Sequence, residues 1–277
     1  MKIFVVSLKR SERRRQFMLE QLNKFNLDYE IFDAIDYQSV SENDIAQYRS
    51  KIDYWQTVRR SIVCATLSHY LVIKKIIDQN LNCALILEDD ALLPINIKDI
   101  LSDIERVIKK NEIISLYYAG FHPLKLSLIG QEIIKSGQLL FPVNIEDAGS
   151  AASYIVQKEA AKNIVRINMP FIGMTDSFDI FYKNGGFSSF RCLYPPPVKP
   201  KNFKSSIDYF KPQSKLGEIL NFIDKYKIPV FYQLIAYRRE LFQRSLRKYI
   251  LVNDVSPIYE KIISPQAKIS NGDGYVK

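Results

Sequence analysis

Residues 83–93 constrain this chain more than any other stretch. They read Cys-Ala-Leu-Ile-Leu, then Glu88-Asp89-Asp90, then Ala-Leu-Leu. An apolar run this short, with Asn82 before it and Pro94 beyond, has the character of a buried strand in a parallel sheet. Three carboxylates at the end of such a strand are costly unless something cationic accompanies them. In open α/β sheets, ligands bind outside the carboxyl ends of the strands. In extended chain Glu88 and Asp90 point to one side and Asp89 to the other. Two hard oxygen ligands on one side suit Mg²⁺ or Mn²⁺, which keep several waters and share substrate phosphates. Glu88 and Asp90 are therefore the candidate metal ligands. A solvated loop capping the next helix is the plain alternative, and the apolar strand running directly into the acids favours the metal.

The flanking chain supplies a frame for that strand. Residues 3–8 read as a first strand, 11–25 as a helix with Met18, Leu22 and Phe25 on one face, and 29–32 as a second strand. This order predicts a Rossmann-like sheet. The first turn lacks Gly-x-Gly-x-x-Gly, which argues against an ordinary dinucleotide site. Ser7, Lys9, Arg10 and Arg13 nevertheless stand where a nucleotide would lie, although a solvated helix start explains them equally well. A polar stretch over 37–55 suggests a loop with short helices. Helical periodicity returns over 59–77 and carries Ser68 and His69. A lone histidine on a helix is more often structural than catalytic.

Further on, 97–108 reads as an amphipathic helix, 113–118 as a strand and 139–143 as an edge strand. The small-residue stretch 147–152 leads into a strand at 153–156 and a helix at 158–166. Asp176 and Asp179, three apart beside the turn at Gly173, form a second acidic focus. The proline run 195–200 ends regular structure. The division expected is a catalytic domain over 1–197 and an extension over 198–277, with a helix at 231–251.

Bulk properties narrow the class. Hydrophobic residues make up 47% of 277, enough for a sizeable core. Cys64, Cys83 and Cys192 are scattered and odd in number, so neither a disulfide framework nor a zinc spacing is visible. No window is long and apolar enough to cross a membrane, and the start is too short for a signal peptide. The expected compartment is the cytoplasm. Residues 199–248 hold 12 Lys or Arg against 4 Asp or Glu, nearly all of the net +9. Such asymmetry points to an anionic partner, nucleic acid or a membrane surface.

Four segments in order resemble glycosyltransferase family 25, the bacterial lipooligosaccharide galactosyltransferases and their collagen-glycosylating relatives. They are Val5-Val6-Ser7-Leu8 with Arg10 and Arg13, Cys64-Ala65-Thr66-Leu67-Ser68-His69, Leu85-Ile86-Leu87-Glu88-Asp89-Asp90, and 149–156 with Asp176. The resemblance covers roughly residues 1–180. Val63 stands where the family often has glycine, and the family's Cys-x-x-Ser-His is spaced here as Cys-x-x-x-Ser-His. The resemblance implies a GT-A fold and an inverting, metal-dependent transfer of a sugar, with UDP-galactose as donor and a lipooligosaccharide or lipopolysaccharide acceptor. UDP-glucose is the alternative donor. Glu88 and Asp90 would hold Mn²⁺ or Mg²⁺, and Asp89 would reach the ribose or donor sugar. Ser7, Leu8, Arg13 and Ala34 would line the nucleotide, with Ser68 and His69 supporting. Asp176, ahead of Asp179, would be the base.

A nucleic-acid-binding protein using the basic extension is the competing reading from another class, and it leaves the acidic triplet unexplained. A metal-dependent phosphohydrolase would need ligands that two histidines, His69 and His122, do not supply. The balance expects a nucleotide sugar, a glycolipid acceptor and an anionic membrane surface as partners, no nucleic acid, and an enzyme peripheral to the inner face of the cytoplasmic membrane.

Overall fold

The structure is a computed structural model that describes residues 1–119 and 124–201, with 226, 228–230, 233 and 249–252 beyond them. His122 and most of the basic extension lie outside the described residues. Among the described residues no helix is long and apolar enough to cross a membrane.

The chain opens β1 (Lys2–Leu8), α1 (Glu12–Lys24), β2 (Tyr29–Ala34), α2 (Glu42–Ala46), α3 (Asp53–Thr57), α4 (Arg60–Asp78) and β3 (Cys83–Glu88). A short β4 (Ala91–Leu92) and α5 (Ile97–Val107) follow. Then come β5 (Glu112–Ser115), β6 (Leu124–Ile134), β7 (Gly137–Pro142), a 3₁₀ turn at Ile145–Ala148, β8 (Ser153–Gln157) and α6 (Lys158–Ile167). Last are α7 (Phe178–Lys183), β9 (Ser189–Tyr194), β10 (Lys199–Pro200) and β11 (Tyr249–Val252). Nine strands form one sheet in the order β11-β6-β7-β9-β5-β8-β3-β1-β2.

The sheet is mixed. β1 is parallel to both β2 and β3, as expected, but β3 meets β8 antiparallel on its other side. Alternation along the strands sorts the core into two layers. Ile3, Val5, Leu85 and Leu87 face Met18 and Leu22 of α1 and Ile97, Ile100 and Ile104 of α5. Phe4, Val6, Ala84 and Ile86 face Val72, Ile73 and Ile76 of α4, Ala160 and Ile164 of α6, and Phe178 and Phe181 of α7. A third cluster, with Trp55, Val63, Leu67 and Phe171, packs α2 and α3 against the first half of α4.

Four expectations need correction. β7 pairs with both β6 and β9, so it is an interior strand rather than an edge. The strand expected over 113–118 stops at Ser115, where the chain turns away. Val198 is fully buried in the α1-side core, and β10 pairs antiparallel with β4, so the chain stays on the sheet domain through Lys201. In the extension, residues 249–252 are a strand added antiparallel to β6, where helical periodicity had extended to 251.

Candidate active site

The site lies where the parallel strands end. Leu8, Ala34 and Glu88 close β1, β2 and β3 at one edge, the register pairing Leu8 with Ala34 and Val6 with Glu88. The chain leaves β1 towards β2 across the α1 face and reaches β3 across the α4 face. The crevice between the ends of β1 and β3 is therefore a topological switch point, where α/β sheets bind ligands.

On the α1 side the acids are held by one cation. Arg14 reaches Asp89 Oδ1 through Nε at 2.7 Å and Asp90 Oδ2 through Nη2 at 2.6 Å. Ser7 Oγ donates to Asp89 Oδ2 at 2.6 Å. The expected alternation of Asp89 and Asp90 fails because β3 ends at Glu88 and the two aspartates form a turn, which lets one guanidinium meet both. Gln21 braces the turn from the same helix: its Nε2 donates to the Ala91 carbonyl and its Oε1 accepts from Leu93 N–H at 2.8 Å. From behind, Lys201 N–H donates to the Asp90 carbonyl at 2.7 Å. Burial raises the pKa of Asp89 and of Asp90 in spite of Arg14, which opposes the shift.

On the other side Glu88 feels the charge of Asp176. Burial, with Asp90, Asp89 and Asp176 adding repulsion, pushes the Glu88 carboxyl up to about 8. Asp176 is exposed, yet surrounding protein desolvates it enough to raise its pKa, and Asp179 adds to the shift. Its loop is tightly built. Buried Asn168 accepts from Ile172 N–H and Gly173 N–H, and Ser177 Oγ accepts from Met174 N–H at 3.0 Å. A Cβ at Gly173 would stand 2.8 Å from the Phe181 ring, so only glycine lets this loop seat on α7. Gly149 passes beside the loop, but a Cβ there would meet nothing closer than 3.7 Å, so the protein itself does not require glycine at that point.

His69 and Tyr154 lie beneath these acids. His69 Nδ1 and Tyr154 Oη are 2.9 Å apart, and burial lowers the imidazole to about 3, leaving it neutral. Burial, then Glu88 and Asp176, hold the Tyr154 phenol far above its ordinary value. His69 thus positions Tyr154 and has no charge to offer. Ser68 is a tether: it accepts from Ile35 N–H at 2.8 Å and donates to the Cys64 carbonyl. Burial lifts the Cys64 and Cys83 thiols to about 11, as befits core residues.

Of the remaining candidates, Arg13 is exposed on α1 and Arg10 pairs with Asp36 at 2.5 Å. Asp179 lies in the first turn of α7, where Lys183 Nζ holds it at 3.0 Å. Position in the turn after β1 and the family resemblance had singled out Arg10 and Arg13, yet Arg14 is the arginine at the acids. The signal was present: Arg14 stands four residues before Met18 and eight before Leu22, on the buried stripe of α1. Tyr154 likewise shares its strand face with Val156 of the core.

Among the described residues no three His, Cys, Asp or Glu side chains converge on one point. Two do offer hard oxygen donors suited to a divalent ion. Asp90 Oδ1 is buried without a hydrogen-bond partner, and Glu88 is crowded by negative charge that a cation would relieve. The pair fits Mg²⁺ or Mn²⁺, whose other positions go to water and phosphate.

Comparison with known proteins agrees in kind. Residues 1–178 match the family model for glycosyltransferase family 25 (LPS biosynthesis protein). A Haemophilus influenzae protein assigned to the glycosyltransferases is 26% identical over 256 residues, 85% of this chain and 88% of the relative. The lipooligosaccharide biosynthesis protein lic2B of the same species is 26% identical over 58% of this chain and 61% of its own. Human procollagen galactosyltransferase 2 is 32% identical over 32% of this chain and 15% of its own. Among solved structures, a glycosyltransferase involved in glycosylating the major capsid of PBCV-1 aligns with a TM-score of 0.33 at 12% identity, covering 61% of this chain and 64% of that one.

Proposed function

The chain belongs to glycosyltransferase family 25, and on that premise we propose that it is an inverting, metal-dependent GT-A-type transferase moving galactose from UDP-galactose onto a lipooligosaccharide or lipopolysaccharide acceptor. The observation that carries the reading is the pair Glu88 and Asp90 at the carboxyl end of β3, with Asp90 Oδ1 buried and without a hydrogen-bond partner. The similarity to lic2B supports a lipooligosaccharide acceptor, and the partial similarity to procollagen galactosyltransferase 2 supports galactose. UDP-glucose is the alternative donor.

Each group has work suited to its surroundings. Breaking the glycosidic bond gathers negative charge on the departing diphosphate. Glu88 and Asp90 would hold the divalent ion, which supplies positive charge to that leaving group. Arg14 opposes the upward pKa shift that burial imposes on Asp89 and Asp90 and holds both in place. Leu8 and Ala34, at the ends of β1 and β2, border the crevice proposed for the nucleotide, with Ser7 bracing Asp89 and Arg13 at the helix start. Inversion needs a base on the acceptor hydroxyl during attack. Asp176 suits that role because it is exposed on its loop and the protein around it raises its proton affinity above that of an ordinary aspartate. Asp179 serves less well, being paired with Lys183.

The test is hydrolysis and transfer across a panel of UDP-hexoses with Mn²⁺, beside the variant Asp176→Asn. Loss of a general base lowers turnover by about a hundredfold to ten-thousandfold, while UDP affinity measured by calorimetry holds. Turnover unchanged in Asp176→Asn would remove the base assignment. A wild-type protein that turns over no UDP-hexose would remove the donor.

A further inference from the structure

We infer that the corner formed by β4, β10 and the start of α5 is a docking surface for an anionic bilayer. The inference stands apart from the transferase reading and assigns a partner to a face that reading does not use. Alternation along β4 sets the corner up. Ala91 and Leu93 are buried in the α1-side core, so Leu92 between them points outward, 46% exposed. Ile95 follows the strand and is 85% exposed, the most open large hydrophobic side chain among the described residues. Single exposed apolar residues are ordinary on a protein surface. What sets these two apart is the charge around them.

β10 pairs antiparallel with β4 and places Lys199 directly opposite Leu92, both side chains exposed. Residues opposed in this way share a face of the ribbon. Lys98 is exposed in the first turn of α5, just beyond Ile95. Lys201, also exposed, holds its ammonium 4.2 Å from the centre of the half-buried Phe17 ring. Asp99 is the single acid within residues 91–101 and 198–201, against these three lysines. Aliphatic side chains that stand out among lysines match the headgroup boundary, where the apolar groups enter and the cations meet anionic lipid.

Other partners fit less well. Nucleic acid would answer the lysines and leave Leu92 and Ile95 in water. A second copy of the chain would bring lysine against lysine, and like charge opposed across an interface is unfavourable. The sequence beyond the corner favours the bilayer as well. Residues 199–248, which begin here, carry 12 Lys or Arg against 4 Asp or Glu. The corner is also joined to the acids by a backbone bond, Lys201 N–H to the Asp90 carbonyl at 2.7 Å. Docking here sets the turn of Asp89 and Asp90 beside the membrane plane.

The experiment uses the full chain with Ile95→Trp, read against the wild type, whose one tryptophan, Trp55, is buried. Phosphatidylglycerol vesicles at low salt should shift the emission of Ile95→Trp several nanometres to the blue, and brominated acyl chains should quench it. Phosphatidylcholine vesicles should do neither, and added salt should reverse both effects. Sedimentation supplies a check free of the added ring. Leu92→Ser with Ile95→Ser, and separately Lys98→Gln with Lys199→Gln, should each weaken binding to phosphatidylglycerol vesicles several-fold. Thermal melts check that the fold is kept, since all four side chains are exposed. Vesicles that sediment Ile95→Trp without moving its emission would show that another surface docks and overturn the inference. Wild-type binding by both double variants would overturn it too, as would no binding of the wild type at low salt. A blue shift that needs no lipid and grows with protein concentration would give the corner to a second copy of the chain. An equal shift with single-stranded DNA would give it to nucleic acid, and either result removes the bilayer.

Discussion

Glu88 pays a measurable cost for its position. Its folded pKa of about 8 lies above the ordinary 4.5, so the folded protein holds a proton that the unfolded chain gives up. The stability this confers is complete below pH 4.5 and is lost as pH rises through about 8. In metal-free buffer, Glu88→Gln should therefore gain stability relative to the wild type between pH 4.5 and 8 and level off above that. If the proposed metal site is right, saturating Mn²⁺ should close the gap, because the ion would bind the wild-type carboxylate and stabilise the folded state by mass action. Denaturant melts over that pH range check it; a pH-independent difference would mean that neither burial nor the neighbouring acids raise the Glu88 pKa. At this scale the strand end carrying Glu88, Asp89 and Asp90 was legible in the sequence, since a short apolar run leads directly into the three acids. Arg14 was not singled out, because three consecutive arginines at 13–15 look alike until the buried stripe of α1 decides which one turns inward. Tyr154 was hidden for a similar reason: an aromatic residue on a buried strand reads as core, and only the fold shows His69 and Asp176 beside it.

The elements with one clean periodicity were the readable ones. β1, α1, α4, β3, α5 and α6 each bury an apolar run or stripe, and their bounds follow within a few residues. β9 was not readable, because its centre carries a charge. Arg191 is fully buried and meets Glu112, also fully buried, through Nε at 2.7 Å and Nη2 at 2.8 Å. It also reaches Glu132 on β6. Lys109 N–H and Ser189 Oγ donate to the remaining Glu112 lone pairs. β6 escapes for a different reason: its alternation from Leu124 breaks at Gly130, which has φ +75 and sits in a register shift against β7. The Arg191 network ties β5, β6 and β9 at the edge of the sheet opposite the acids, so its role is structural. Removing one member leaves the other charge buried and uncompensated, which typically costs about 3–5 kcal/mol. Arg191→Ala should lose that much in denaturant unfolding, and Arg191→Met with Glu112→Leu should recover a large part. A loss below about 1 kcal/mol for Arg191→Ala would show that water reaches the network.

Across the whole molecule the charge and the chemistry are segregated. The acids lie at one edge of the sheet, while nearly all of the net +9 belongs to residues 199–248. The same stretch holds Tyr209, Phe210, Phe222, Tyr226, Phe231, Tyr232, Tyr237 and Phe242, ring types suited to the headgroup boundary of a bilayer. We propose that this extension docks the enzyme on the anionic cytoplasmic face of a membrane, which would confine it to the plane of a lipid-linked acceptor. Each Lys or Arg near such a surface contributes roughly 1 kcal/mol, screened within a Debye length. Deleting everything after Pro197 is a poor test, because Val198 is part of the core, Lys201 braces the Asp90 turn and residues 249–252 pair with β6. The full chain with Arg238, Arg239, Arg244 and Arg247 changed to Gln keeps those contacts and removes four charges. In vesicle sedimentation the wild type should bind anionic lipid strongly at low salt and release it as salt rises, with neutral vesicles bound weakly throughout. The four-Gln variant should bind anionic vesicles markedly less at every salt. Equal binding by both proteins, or binding indifferent to salt, would defeat the docking proposal; binding of random nucleic acid in preference to anionic vesicles would give the charge to a different partner.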